Sequence, residues 1–174
     1  IARNAKEGNV YARLEGREWI YELDPVVHVH LGSELHDRTV MKFEPDQVAA
    51  IKVPGEDGQT LEFTKQGEKW VYLPDPYLQI DAQKVKEWLG SLRDAKVEKF
   101  IAYKMENGAD YGLDKPLYET EVTLATGKVL KMIVAKASET GKFVATIAGS
   151  TCAFELPPGS VQQLRKPLSF FKGQ

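Results

Sequence analysis

The chain has 174 residues, 43% of them hydrophobic and 28% charged, with a formal net charge of −2. Its 23 basic and 25 acidic residues are mixed along the length, which argues against nucleic-acid binding and electrostatic membrane docking, since both favour a basic patch. One cysteine excludes a disulfide framework or a thiolate metal cluster. No apolar run approaches the roughly 18 residues needed to span a bilayer.

Residues 1–23 hold the first strands. Val26–Leu35 reads as a helix only by analogy with a later stretch, because its β-branched content gives weak propensity. Arg38–Phe43 alternates and predicts a strand. Val48–Val53 and Thr60–Thr64 flank a Gly55-Glu56-Asp57-Gly58 turn, a hairpin signal, and Lys69–Leu73 alternates before Pro74 and Pro76. Asp81 is placed to cap a helix over Ala82–Ala95, whose Val85, Trp88, Leu89 and Leu92 form one apolar stripe. Val97–Tyr103 returns as strand. Glu121–Leu124 and Val129–Ala135 make a hairpin around Thr126-Gly127.

The later stretch is residues 141–168, which lie without a gap on residues 8–35 when shifted by 133 positions. Gly8/Gly141, Ala12/Ala145, Gly16/Gly149, Glu22/Glu155, Leu23/Leu156, Pro25/Pro158, Leu31/Leu164 and Leu35/Leu168 are identical. Each copy reads as strand, glycine turn, strand, proline, short helix, with Val161, Leu164 and Leu168 on one helix face. The expected architecture is one continuous α+β body of mostly antiparallel hairpins, with pseudo-repeat units near 1–43, 44–110 and 111–174. Ile1–Arg3 fall on Val134–Lys136, inside a predicted strand. The chain is therefore expected to be a fragment of a longer protein, preceded by a segment resembling residues 111–133.

Chemistry-bearing patterns are sparse. On a strand, His28 and His30 would share a face and could chelate a metal, with His36 nearby. On the helix that the repeat favours they point about 200° apart and cannot. Glu22 and Glu155, the repeated carboxylates, read as partners of a neighbouring lysine or as helix caps rather than catalysts. Cys152 reads as a small buried apolar residue. Trp19, Tyr21, Trp70, Tyr72 and Trp88 could line a sugar or peptide groove, but their spacing is that of core residues. Nucleophile motifs, phosphate loops and dinucleotide fingerprints are absent. No cofactor, metal or enzymatic activity is expected.

Tyr111-Gly112-Leu113-Asp114, followed by Pro116, has a structural reading: Gly112 for an unusual backbone angle, Leu113 as a core plug, Asp114 accepting turn N–H groups. With the hairpin that follows, the G-x-V/F-x-A strand, the E-L pair and the short helix, this segment resembles the bacterial domain of unknown function family 4340. The run from Leu31 through Asp37-Arg38-Thr39-Val40 to Phe43 is similar to that family's pattern too. That family has no established catalytic residues to carry over. The resemblance implies an N-terminal membrane anchor, an extracytoplasmic repeat domain, and membrane transporter subunits of the ABC type, as in gliding-motility systems, as partners. The expected function is a non-enzymatic accessory module of such a complex; the alternative is a glycan- or peptide-binding module with an aromatic groove between the pseudo-repeats.

Overall fold

The computed structural model describes residues 2–3, 10–13, 15–24, 37–135 and 141–173. They belong to two units, 1–37 and 38–174. The helix expected at Val26–Leu35 and all three histidines lie outside the described residues.

In the smaller unit, β1 (Ala2–Arg3), β2 (Val10–Arg13) and β3 (Ile20–Leu23) form an antiparallel sheet in that order. Val10 pairs with Leu23 and Ala12 with Tyr21. Gly16, in the connecting turn, has φ +77°, a value that glycine adopts without steric cost.

The larger unit is an eight-stranded antiparallel sheet. Its strands are β4 (Val48–Pro54), β5 (Thr60–Gln66), β6 (Lys69–Tyr72), β7 (Lys99–Ala102), β8 (Pro116–Leu124), β9 (Val129–Ala135), β10 (Phe143–Ile147) and β11 (Ala153–Leu156). The order across the sheet is β6-β5-β4-β8-β9-β10-β11-β7. Three helices accompany it, α1 (Ala82–Asp94), α2 (Pro158–Leu164) and α3 (Leu168–Phe171).

Strand alternation sorts the side chains. Ile51, Val53, Leu61, Phe63, Val122, Met132, Val134 and Phe154 point to one face, where they join Val85, Trp88, Leu89 and Leu92 of α1, Val161 and Leu164 of α2, and Phe171 of α3 in one core. Phe63 packs its ring 4.9 Å from that of Phe171. Burying a large side chain here contributes about 1.5–3 kcal/mol, so the helices are held by the sheet rather than by their own propensity. The α1 cap is as the sequence predicts: an Asp81 carboxylate oxygen accepts from the N–H groups of Gln83 at 2.8 Å and Lys84 at 3.3 Å.

Two sequence expectations fail. Arg38–Phe43 is not a strand. A bridge between Thr39 and Lys96, the backbone bonds beside it and a Lys96 Nζ bond to Thr39 Oγ1 at 3.0 Å hold it without a ladder, while Val40, Met41 and Phe43 are buried in the core. Its neighbour, the short stretch between α1 and β7, offers too few residues for a ladder. The helix after Pro158 also stops early. Pro167 disfavours helical backbone in the residue before it, and Lys166 instead donates its N–H to the Pro54 carbonyl at 3.2 Å. Leu168 therefore opens a separate helix.

Candidate functional site

The Tyr111–Pro116 segment is a turn. A 3-10 helix, Gly108–Tyr111, is capped by Asn107, whose side-chain oxygen accepts from Ala109 N–H at 3.1 Å. Gly112 then takes φ +70°, and Leu113 N–H returns to the Gly108 carbonyl at 3.0 Å. Leu113 is buried, yet it sits outside the main core cluster. Asp114 is exposed and accepts no hydrogen bond among the described residues. The side-chain acceptor of this turn is Asn107, so Asp114 does not have the role its position suggested. Pro116 begins β8 opposite Ala135. Tyr111 is half-buried. These five residues build a connection rather than a shared site, and Pro116 alone of the five also lines the cleft described below.

The other sequence candidates separate. Glu155 is ion-paired with Lys142 at 3.1 Å, and the same ammonium meets Glu98 at 2.9 Å, which holds the Lys142 pKa above its usual value. Glu22 is an exposed strand residue. Cys152 is half-buried rather than fully buried, its Sγ 3.6 Å from the Tyr103 carbonyl. Trp70, Tyr72 and Trp88 belong to the core, whereas Trp19 and Tyr21 are exposed on the smaller unit. Among the described residues, no group of acidic, histidine and cysteine side chains could hold a metal ion.

Two features come from the folded sheet. On the face away from the helices, Glu62, Lys52, Glu121 and Lys131 are successive cross-strand neighbours over β5, β4, β8 and β9. Their charges alternate. Lys52 meets Glu121 at 3.3 Å; Lys131 meets Glu121 at 3.6 Å and Glu119 at 2.6 Å. The hydrogen bond to Glu119 raises the Lys131 pKa. This is a polar, ion-paired surface.

The second feature is a cleft of about 280 Å³ where the β4–β5 turn, the start of β8 and the end of α2 meet. Its wall includes Gly55, Thr60, Pro116, Tyr118, Glu119 and Arg165. Arg165 donates through Nη2 to the carbonyls of Glu56 at 2.8 Å and Gly55 at 3.4 Å. No carboxylate pairs with its guanidinium, and its Nε and Nη1 make no hydrogen bond among the described residues. The Tyr118 hydroxyl is buried, with no hydrogen-bond partner among the described residues, and burial raises its pKa. Sequence reasoning missed this cleft because its walls come from segments more than 40 residues apart.

The family described as Domain of unknown function (DUF4340) matches residues 70–172, more than half of the chain. The chain belongs to this family. The match spans the Tyr111–Pro116 turn, α1 and β7 to β11. No curated protein and no solved structure matches the chain. Among the described residues, no helix is long and apolar enough to cross a membrane.

Proposed function

We propose that this DUF4340 chain is a non-enzymatic accessory module built from pseudo-repeats, which works outside the cytoplasm in a membrane-anchored protein and docks on subunits of an ABC-type transporter. The observation that carries the reading is the division of labour across the larger sheet. One face is sealed by helices and largely apolar, with Thr120 a buried polar residue on it, while the other presents charged side chains in a fixed order. Complementary charge selects partners and register, which is what a docking module requires. The titratable groups with shifted pKa values, Tyr118 apart, owe them to surface ion pairs such as Lys131 with Glu119 rather than to a buried acid–base constellation.

The repeat reading is supported by strand register. Val10 pairs with Leu23, and 133 residues later Phe143 pairs with Leu156. The β1–β2 pairing of Ala2 with Tyr11 has the same alignment as the β9–β10 pairing of Val134 with Ala145. The shared offset of side-chain identity and hydrogen-bond register supports the repeat reading.

The test is affinity purification of the protein from gently solubilised membranes, with mass spectrometry of its companions. Stoichiometric transporter subunits are the expected outcome; recovery of the protein alone would contradict the reading.

A further inference from the structure

We propose that the face of the smaller sheet bearing Trp19 and Tyr21 docks an amphipathic α-helix of a partner protein, one with an apolar stripe like that of α1. The proposal rests on the repeat part of the reading above and not on its transporter part. It is measured on the chain alone, so either can fail without the other.

The β5–β6 hairpin aligns with the β2–β3 hairpin as well. Shifted by 51 positions, residues 16–25 fall on residues 67–76, and Gly16/Gly67, Trp19/Trp70, Tyr21/Tyr72, Asp24/Asp75 and Pro25/Pro76 are identical. Strand register keeps the same offsets: Ala12 pairs with Tyr21, Phe63 with Tyr72, and Ala145 with Phe154. This agreement supports treating the three hairpins as equivalent, with Trp19 and Tyr21 on the face that Trp70, Tyr72 and Phe154 occupy.

The equivalent faces are covered. Trp70, Tyr72 and Phe154 share one core with Val85, Trp88, Leu89 and Leu92 of α1, and Trp70 and Leu89 line one groove. Trp19 and Tyr21 are instead 73% and 42% exposed, against 8% and 9% for Trp70 and Tyr72. By strand alternation Ala12 and Leu23 lie on the same face, which makes it apolar across two strands. Tryptophan and tyrosine over an apolar patch are the composition of an interface core.

The same alignments indicate what covers it. At the offset of 51, α1 falls on residues 31–43, where Glu34, Asp37, Arg38 and Met41 replace its Val85, Trp88, Leu89 and Leu92 stripe. Val40, Met41 and Phe43 of that stretch are already buried in the core of the larger unit. At the offset of 133, α2 falls on residues 25–31, with His28 in place of the buried Val161. Neither aligned stretch carries a second α1 stripe, so the fitting occupant is a partner's helix, with anchors spaced i, i+3, i+4 and i+7.

The probe is a synthetic peptide of residues 81–95. An isolated helix of that length is marginal, so Ser91→Lys is introduced and joined to Glu87 by a lactam on the polar side. Two-dimensional NMR of the labelled 174-residue chain should show saturable shifts at the Trp19 indole N–H and the Ile20–Leu23 amides. Trp19→Lys, at an exposed position, should weaken binding at least about tenfold, whereas Ile20→Lys, on the opposite face, should change it less than about twofold. A peptide with Leu89→Glu and Leu92→Glu should not bind. No saturable shift, equal binding of that second peptide, or equal loss with Ile20→Lys overturns the proposal. So do shifts of the same signals when the chain alone is concentrated, which would give the face to a second copy, and shifts confined to Trp70 and Tyr72, which would mean that the peptide displaces α1.

Discussion

The indole nitrogen of Trp88 donates to the carbonyl oxygen of Leu164 at 2.9 Å, joining the middle of α1 to the last turn of α2. That carbonyl is one of those a helix leaves without an internal donor, so the bond both caps α2 and fixes the two helices on the sheet. Trp88→Phe keeps an aromatic ring but strands a buried carbonyl beside a small void. It should cost about 2 kcal/mol in urea unfolding. A loss below about 0.5 kcal/mol would show that the carbonyl finds another donor.

Thr120 gives a prediction of opposite sign. Its side chain is fully buried on the core face of β8, and its hydroxyl has no partner among the described residues. Thr120→Val exchanges that hydroxyl for a methyl group of nearly the same shape. Stability should rise by about 1 kcal/mol. A lower unfolding midpoint would mean that the hydroxyl is satisfied in solution.

Tyr118 links stability to pH. Burial favours its neutral form, so the folded pKa lies above the unfolded value of about 10. Above that pH the unfolded chain releases a proton that the folded chain keeps. The stability contribution is therefore intact below about pH 10 and is lost as pH rises toward the folded pKa. Chemical unfolding at about pH 8 and about pH 10.5 should show a steeper fall for the wild type than for Tyr118→Phe. Parallel slopes would contradict the burial of this hydroxyl.

Two glycines should rank by steric argument. At Gly112 a Cβ would lie 3.7 Å from Ala135 Cβ, an ordinary contact, so Gly112→Ala pays only for φ +70°, about 1–2 kcal/mol. At Gly55 a Cβ would come within 2.8 Å of the Gln59 backbone oxygen. The turn must then shift, along with the Gly55–Gln59 hydrogen bond and the Arg165 contact to the Gly55 carbonyl. Gly55→Ala should therefore be the more damaging in thermal unfolding; the reverse order would refute this account of the turn.

Much of the fold was legible because it is written locally. The Gly55–Gly58 and Thr126-Gly127 turns, the alternation in β4, β5 and β9, and the Asp81 cap each report their own few residues. What was not legible depended on distant partners. Arg38–Phe43 has a strand pattern but lacks a ladder to join, and Leu168 has helical spacing from Leu164 but lies beyond Pro167. The cleft was hidden for the same reason. Arg165 looks like a helix-end cation until Gly55 and Tyr118 are brought beside it. In the sequence, Pro167 could have warned that Arg165 leaves the helix.

The charged sheet face tests the docking claim most directly. Lys131 holds Glu119 and Glu121, and both partners remain partly exposed, so Lys131→Glu should cost about 1 kcal/mol for each lost pair at most and a similar amount for the like charges it sets side by side, while reversing the local charge pattern. The decisive measurement is therefore purification from gently solubilised membranes of the wild type and the Lys131→Glu variant side by side. The account predicts stoichiometric transporter subunits with the wild type and their loss with the folded variant. The same companions with both, or none with either, would contradict it.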